Sequence, residues 1–269
     1  MEYEVITSLA NKDVKLLRSL QARKYRKQTG WFLAEGMRIC REAMHSGHAP
    51  QRLVYSAEAQ VAQNDMLAEL IEACGKAGGR TMAVAPDVLV KISRKDNPQM
   101  VIGAFNQTWL SSQKIVPARD DLWIALDRVR DPGNLGTIMR TADAVGAKGL
   151  ILIEDCTDPY SLEAVRASMG AVFTVGLVKM SEAEFVPFSK NWKGEIIATA
   201  LQASVDYRLA DYSKPTIILM GNEQAGLTER LRAHATQAIR MPMLGRSDSL
   251  NLGVATGVCA YEWLRGRSE

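Results

Sequence analysis

The sequence predicts an α/β protein of two domains, the larger one built on a parallel sheet. The chain has 269 residues, and at roughly 100–200 residues per domain this length suggests two domains. From Leu122 onward, short apolar runs alternate with helical stretches. Continuous apolar strands between helices are typical of a parallel sheet covered on both faces. Residues 1–105 show the same alternation of apolar runs and helical stretches, with shorter elements.

Residues 1–105 are predicted to form a small α/β domain whose pieces are separated by glycine and proline residues. Its predicted strands are Trp31–Ala34, Arg52–Tyr55, Thr81–Val84 and Met100–Phe105. The main helices predicted between them are Glu35–Ser46 and Ala57–Lys76. Residues 106–121 are polar, and we interpret them as a linker.

A strongly basic helix is predicted at Lys12–Lys27, where apolar residues recur at helical spacing. Seven Lys and Arg residues in this stretch stand against one acid, Asp13. Residues 1–115 hold 16 Lys and Arg residues against 11 Asp and Glu residues, whereas the whole chain has a net charge of only +3. A solvated surface helix accounts for this pattern, and so does a surface that follows nucleic-acid phosphates. The charge alone does not decide between them.

Residues 122–269 are predicted to form the larger domain, in which strands and helices alternate. Its predicted strands are Leu122–Leu126, Gly149–Ile153, Val172–Val175, Glu195–Ala200, Thr216–Met220 and Ala238–Met241. Its predicted helices are Leu135–Val145, Leu162–Met169, Glu182–Asn191, Thr228–His234 and Leu252–Arg265.

Composition excludes several classes of protein. The chain is 47% hydrophobic and 23% charged, which argues against a disordered or fibrous protein. Its apolar runs are too short to span a bilayer, and the N-terminus lacks an apolar signal core. The four cysteines are widely separated, so we expect buried free thiols in a reducing cytoplasm.

The segments after the strands are the places to look for chemistry, because parallel sheets bind ligands at the carboxyl ends of their strands. After the first strand, Asn134 is a natural helix N-cap and Arg140 lies nearly two turns further on. A structural cap with an ion-paired arginine explains the pair, and so does an anion or ribose site at the helix N-terminus. Two later segments combine small and polar residues, Gly221–Leu227 and Gly245–Gly253.

The motifs of several common enzyme classes are absent from the sequence. There is no G-x-G-x-x-G dinucleotide fingerprint, no P-loop and no G-x-S-x-G nucleophile elbow. The three histidines are not accompanied by Cys or acidic residues at metal-ligand spacing, which argues against a zinc site.

Taken together, the three segments after the strands resemble the three motifs of the SpoU (TrmH) RNA 2′-O-ribose methyltransferases, of the SPOUT superfamily. The segments are Asp131-Pro-Gly-Asn-Leu-Gly-Thr-Ile-Met-Arg-Thr-Ala142, Ile217-Ile-Leu-Met-Gly-Asn-Glu-Gln-Ala-Gly-Leu227 and Ile239-Arg-Met-Pro-Met-Leu-Gly-Arg-Ser-Asp-Ser-Leu-Asn-Leu-Gly-Val-Ala255. Arg166-Ala-Ser-Met-Gly-Ala171 resembles a further family segment. Their order and spacing make this resemblance specific.

The resemblance implies a deep trefoil knot in the C-terminal domain, a rare exception to the rule that chains avoid knots. It also implies a homodimer through that domain and S-adenosylmethionine as cofactor, with no catalytic metal. The residues facing the cofactor would be Ala200, Gly221, Met241 and Leu250.

The same resemblance implies a set of catalytic residues, namely Arg140, Asn134, Glu223, Ser249 and Asn251. Arg140 would act either as a general base or as a cation beside the developing alkoxide. The second role is chemically easier, because a guanidinium rarely loses its proton in proteins.

The N-terminal domain resembles the substrate-binding domain found in many members of the family. The resemblance therefore implies RNA as the substrate, with rRNA favoured and tRNA possible. The expected phosphate contacts are Arg23, Lys24, Arg26 and Lys27. Two alternatives remain open at this point: a non-catalytic RNA-binding or ribosome-assembly factor, and an unrelated α/β enzyme.

Overall fold

The computed structural model describes residues 5–61, 65–200, 203 and 205–267, and the chain divides into two compact units. The first unit comprises the chain up to Gln107 together with Asp158–Thr174. The second comprises Thr108–Thr157 and the chain from Val175 onward. Residues 158–174, which the sequence pattern assigned to the C-terminal domain, thus belong by their contacts to the first unit.

A mixed four-stranded sheet forms the centre of the first unit. Its elements are α1 (Lys12–Ser19), α2 (Arg23–Thr29), β1 (Trp31–Glu35), α3 (Met37–His45), β2 (Arg52–Ser56), α4 (Ala57–Val61), α5 (Asp65–Lys76), β3 (Arg80–Val84), α6 (Pro86–Ser93) and β4 (Val101–Asn106). The strand order is β1-β4-β2-β3, with β4 antiparallel to β1 and β2, and β3 parallel to β2. Apolar residues of α1 and α6, among them Leu17 and Leu89, pack with strand residues such as Val54.

A seven-stranded sheet forms the centre of the second unit. The remaining elements of the chain are β5 (Leu122–Asp127), α7 (Pro132–Ala144), β6 (Gly149–Ile153), α8 (Leu162–Ser168, in the first unit), β7 (Gly176–Met180), α9 (Glu182–Asn191), β8 (Glu195–Thr199), β9 (Val205–Asp206), β10 (Thr216–Met220), α10 (Glu229–Arg232), β11 (Gln237–Arg240) and α11 (Leu252–Arg265). The strand order is β7-β6-β5-β10-β8-β11-β9, and each pairing is parallel. The predicted parallel sheet is confirmed. The trefoil knot stays a prediction.

One predicted strand, Val172–Val175, is wrong. Residues Ala171–Phe173 form a 3₁₀ turn, and the strand begins only at Gly176. The ring of Phe173 packs against Phe32 and Phe105 of the first unit, with ring centroids 5.5 and 4.9 Å away. The run is apolar because it fills an aromatic cluster, and a short apolar run does not by itself distinguish a strand from another buried segment.

The continuous basic helix predicted at Lys12–Lys27 is also wrong, because the chain forms two helices there. Helix α1 ends at Ser19, and Ala22 precedes α2 with an extended backbone (φ −95°, ψ 132°). The predicted helix Ala57–Lys76 corresponds to α4 and α5, and residues 62–64 between them lie outside the described part of the chain.

Helix α8 is attached to the rest of the first unit by an ion pair to a buried carboxylate. The Nη2 atom of Arg166 lies 2.6 Å from Oε2 of Glu35, whose side chain is 1% exposed. The same nitrogen donates to the carbonyl of Ser93 at 3.0 Å. Removing Arg166 would leave the buried carboxylate of Glu35 without its counter-ion, which is strongly destabilising. Arg166 therefore explains why residues far along the chain fold with the N-terminal part.

The predicted buried free thiols are confirmed: Cys40, Cys74, Cys156 and Cys259 are all free and buried. Burial raises the pKa of Cys40 and of Cys259 to about 12, so both stay protonated. Among the described residues, no helix is long and apolar enough to cross a membrane.

Candidate active site

The candidate residues lie in segments that follow neighbouring strands of the parallel sheet. β5 and β10 are paired, β8 lies beside β10, and β11 lies beside β8. Because all four strands run in one direction, the segments that leave their carboxyl ends start from one edge of the sheet. The segment after β5 contains Asn134, that after β10 contains Glu223, and that after β11 contains Asn251.

Helix α7 begins differently from the prediction. Its N-cap is Asp131, whose side chain accepts a hydrogen bond from the backbone N–H of Asn134 at 2.6 Å. Pro132 occupies the first turn, where a proline needs no hydrogen-bond partner for its nitrogen. The prediction of Asn134 as the N-cap is therefore wrong. Because Asp131 caps the helix, the side chain of Asn134 is available for other contacts.

A hydrogen-bond chain joins the three segments. Nδ2 of Asn134 donates to Oε1 of Glu223 at 3.2 Å, and Oδ1 of Asn134 accepts from Nδ2 of Asn251 at 2.9 Å. Glu223 also accepts from the backbone N–H groups of Arg130 and Asp131, each at 3.3 Å. The Asn251 side-chain oxygen caps α11 by accepting from Gly253 N at 2.9 Å. Three of the five predicted catalytic residues are thus brought into direct contact.

Glu223 is held in its ionised form. Burial opposes ionisation, but hydrogen bonds from its own backbone, from Asn134 and from the backbone of Arg130 and Asp131 outweigh that effect. The result is a pKa of Glu223 below its ordinary value. A fixed carboxylate therefore anchors both the loop before α7 and the side chain of Asn134.

Arg140 lies on α7 outside this chain of hydrogen bonds. Its side chain is exposed, and no hydrogen bond or ion pair of its guanidinium group is found among the described residues. Ser249 is also exposed, and its Oγ donates to Oδ1 of Asp248 at 3.4 Å. The structure therefore brings together Asn134, Glu223 and Asn251, but not Arg140 or Ser249.

The four residues predicted to face the cofactor differ in exposure. Gly221 is buried, Ala200 and Met241 are half-buried, and Leu250 is 40% exposed. The backbone N–H of Ala200 donates to the carbonyl of Ile239 at 2.9 Å, which places it at the β8–β11 junction. These residues offer backbone groups and apolar side chains without a charged group, which fits an adenosyl ligand bound mostly by its apolar surface and the backbone.

Sequence reasoning missed a buried carboxylate at the end of β5. Asp127 is 0% exposed and accepts from Nε and Nη2 of Arg128 at 2.8 and 2.9 Å. Nδ2 of Asn222 donates to the carbonyl oxygen of Arg128 at 2.8 Å, and Nη2 of Arg128 reaches the carbonyl oxygen of Gly226 at 3.3 Å. The hydrogen bond to Asp127 raises the pKa of Arg128. The available signal was an acidic residue closing the otherwise apolar run from Leu122.

Of the four predicted phosphate contacts, Arg26 is contradicted by the structure. Arg26 is only 4% exposed, and its Nη1 donates to the carbonyl oxygens of Leu20 and Gln21 at 2.8 and 2.9 Å. Nη2 lies 2.7 Å from Oδ2 of Asp158, in the same unit. Arg26 therefore joins α2 to the turn after α1, and it is not available to a phosphate group.

The other three predicted phosphate contacts are more accessible than Arg26. Lys24 and Lys27 are exposed, and Arg23 is half-buried.

Within the part of the chain that the structure describes, no group of three or more His, Cys, Asp or Glu side chains is arranged to hold a metal ion.

Comparison with known proteins finds two family models along the chain. Residues 121–261 match the SpoU rRNA Methylase family, and residues 11–103 match an MRM3-like substrate binding domain. The chain is similar to the 23S rRNA (guanosine(2553)-2′-O)-methyltransferase RlmP of Bacillus subtilis, with 28% identity over 97% of this chain and 99% of that protein.

Solved structures resemble the whole chain. The AdoMet-bound rRNA methyltransferase of Sinorhizobium meliloti has a TM-score of 0.91 and 43% identity, covering 98% of each chain. The SpoU methyltransferase AviRb of Streptomyces viridochromogenes, in complex with AdoMet, has a TM-score of 0.85 and 29% identity, covering 96% of this chain and 99% of that one.

Proposed function

The chain belongs to the SpoU rRNA methylase family, and from that premise we propose that it transfers a methyl group from S-adenosylmethionine to a ribose 2′-hydroxyl of rRNA. The observation that carries the proposal is the hydrogen-bond chain Glu223–Asn134–Asn251, which ties together three segments distant in the sequence. Its geometry holds the three loops around one edge of the sheet, where parallel sheets bind their ligands.

S-adenosylmethionine supplies an activated methyl group on a sulfonium, so the scheme needs no metal ion. We propose that Ala200, Gly221, Met241 and Leu250 hold it at the carboxyl ends of β8, β10 and β11. What the protein adds is alignment of the acceptor oxygen and stabilisation of the negative charge that develops on it.

We propose that Arg140 supplies this stabilisation. Its exposed guanidinium group is available to a phosphate and to the developing alkoxide of the ribose. Asn134 and Ser249 would orient the ribose, and Asn251 would fix the segment before α11, which it caps. Glu223 would keep Asn134 in place through the 3.2 Å hydrogen bond.

We further propose that the first unit binds the RNA through α2, with Lys24 and Lys27 contacting phosphates and Arg23 assisting. Arg26 is withdrawn from this set because it is buried against Asp158. An rRNA substrate would locate the protein in the cytoplasm, where ribosomes lie, and a tRNA substrate remains an outcome of the experiment below.

A homodimer through the second unit is also part of the proposal. On α11, Val254 and Tyr261 are 53% and 54% exposed and stand two helical turns apart, on one face. Apolar residues grouped on an exposed helix face are typical of protein–protein contacts. A second copy of the chain would cover this face.

The experiment is transfer of labelled methyl groups to rRNA, ribosomal subunits and tRNA, with sites mapped as positions resistant to alkaline cleavage. Arg140→Ala should lower kcat about 100-fold or more, the usual cost of removing one charge-stabilising donor. Arg119→Ala, the same change at an exposed residue of the linker, should leave kcat unchanged. Cofactor binding without label on any RNA would favour a non-catalytic RNA-binding factor. Absence of cofactor binding would reject the methyltransferase.

A further inference from the structure

The first unit carries a second basic surface, which the sequence pattern did not reveal. Trp31, Arg52 and Arg80 are the first residues of β1, β2 and β3. β1 and β2 are both antiparallel to β4, and β3 is parallel to β2, so these three strands start from the same edge of the sheet. We call this group, together with Asp13 of α1, the strand-start edge.

The registers place the three residues close together. Arg52 and Arg80 are direct partners across β2 and β3, and Trp31 and Arg52 pair with β4 at Asn106 and Ala104. The Cζ atom of Arg52 lies 5.3 Å from the centre of the Trp31 ring, within the range of a cation–π contact.

Asp13 holds this group in one arrangement. Its Oδ1 accepts from Nε of Arg52 at 2.8 Å, and both side chains are about one-fifth exposed (19% and 20%). Nη1 of Arg52 also donates to the carbonyl oxygen of Gln51 at 2.7 Å. The guanidinium group is thus fixed over the indole ring before any ligand binds, which lowers the entropy cost of binding.

Arg80 gives the strand-start edge a positive charge that is exposed to solvent. Its Nη1 is 3.8 Å from Oδ2 of Asp13, a carboxylate already engaged by Arg52, and its side chain is 71% exposed. Two guanidinium groups therefore share one carboxylate. An exposed arginine beside an aromatic–guanidinium stack is complementary to a phosphate next to an unpaired base.

The strand-start edge is continuous with α2, the helix proposed to contact RNA. Gly30, in the left-handed conformation with φ 68°, connects α2 directly to Trp31. Nε2 of Gln107 donates to the carbonyl oxygens of Arg26 and Trp31, at 3.1 and 3.3 Å, and so joins the last turn of α2 to the start of β1. Lys27 is exposed in that last turn.

We propose that the strand-start edge binds an unpaired segment of the RNA substrate, with Arg80 contacting a phosphate and Trp31 with Arg52 stacking against a base. The proposal rests on the proposed function for the identity of the RNA. It extends the interface from the basic helices to the sheet, and it makes Trp31, Arg52 and Arg80 determinants of RNA affinity.

The first test is binding of transcribed 23S rRNA to the full-length protein, in parallel with methyl transfer to it. Arg80→Ala should weaken binding and raise KM about 5-fold, and should lower the slope of log affinity against log salt by about 1, the effect of one lost phosphate contact. Its kcat and its affinity for S-adenosylmethionine should not change, because Arg80 lies in the first unit.

The matched control is Arg38→Ala, the same change at an exposed residue of α3, which begins after the far end of β1. Equal losses of RNA affinity in the two variants, or no loss of RNA affinity in Arg80→Ala, would overturn the proposal. RNA binding is measured separately from methyl transfer. If the wild-type protein transfers no methyl group, the proposed function is rejected. The comparison of RNA affinity between Arg80→Ala and Arg38→Ala still tests whether the strand-start edge binds RNA.

A second variant tests the stacking. Trp31→Leu should lower affinity for a short oligouridine about 5-fold, at the low end for loss of one stacked base, while leaving affinity for an RNA duplex unchanged. If Trp31→Leu lowers the affinity for oligouridine and for the duplex equally, at an unaltered melting temperature of the protein, stacking on an unpaired base is contradicted. Competition by an acidic peptide as strong as by oligouridine would indicate a protein partner and overturn the RNA assignment.

Discussion

Glu223 shows how one side chain can organise several segments. It accepts hydrogen bonds from two consecutive backbone N–H groups and from Asn134, and these bonds hold its pKa below the ordinary 4.5. A glutamine has the same shape but carries one donor in place of an acceptor, so it would leave a backbone N–H unpaired or repelled.

At the residue scale we therefore predict a pH-dependent cost for Glu223→Gln. A depressed folded-state pKa means that ionised Glu223 stabilises the fold above its unfolded pKa, and that this contribution is lost as pH falls through the folded value. The difference in free energy of unfolding between wild type and Glu223→Gln should be present at neutral pH and shrink in acid below the ordinary value of 4.5.

Urea denaturation across this pH range measures the difference. Glu229→Gln, the same change at an exposed position of α10, serves as the control. A difference for Glu223→Gln that does not change with pH would show that the carboxylate charge is not what holds the loop.

At the element scale, the turn after β10 depends on a glycine. Asn222 and Gly226 pair through two backbone hydrogen bonds, at 3.1 and 2.9 Å, and the Asn222 side-chain oxygen accepts from two N–H groups inside the turn. A Cβ atom on Gly221 would collide with the backbone of Gly226 and Leu227. Backbone atoms at both contacts cannot move aside as a flexible side chain can.

We predict that Gly221→Ala destabilises the protein by roughly 1–3 kcal/mol, as expected for overpacking, and abolishes binding of S-adenosylmethionine. Calorimetric titration of the cofactor and thermal unfolding measure the two effects. Gly75→Ala, in α5 with no atom close to the added Cβ, should gain about 0.5–1 kcal/mol of helix stability. Normal cofactor affinity in Gly221→Ala would mean that the turn does not shape the cofactor site.

At the scale of the whole molecule, the proposed dimer would form through the exposed face of α11. Tyr261→Arg should convert the proposed dimer to a monomer, because a guanidinium group would have to lose its water in an apolar contact. The expected cost is about 2 kcal/mol or more of association free energy, the range for a central interface residue. Sedimentation over a range of concentrations measures it.

Tyr25→Arg is the control for this change, since Tyr25 is 43% exposed but lies in the first unit. A wild-type protein that is monomeric at all concentrations would remove the dimer from the proposal. Loss of dimer in both variants would mean that added charge, and not the face of α11, is responsible.

Much of the second unit could be predicted from local sequence. Five of its predicted strands overlap strands of the sheet, because fully buried parallel strands are continuous apolar runs such as Thr216–Met220. The three polar segments were recognisable for the same reason, since each follows such a run. The remaining predicted strand, Val172–Val175, is wrong because its apolar residues fill an aromatic cluster.

Local sequence was sufficient to predict the parallel α/β class, a chain of two parts and the three segments that meet at the site, because these depend on short-range patterns of apolar and small residues. The tertiary structure alone decided that Arg26 is buried against Asp158, that residues 158–174 fold with the N-terminal part, and that Arg52 and Arg80 share Asp13. Whether a charged side chain faces an ion-pair partner or solvent depends on residues distant in the chain, and only the fold brings those partners within a few ångströms.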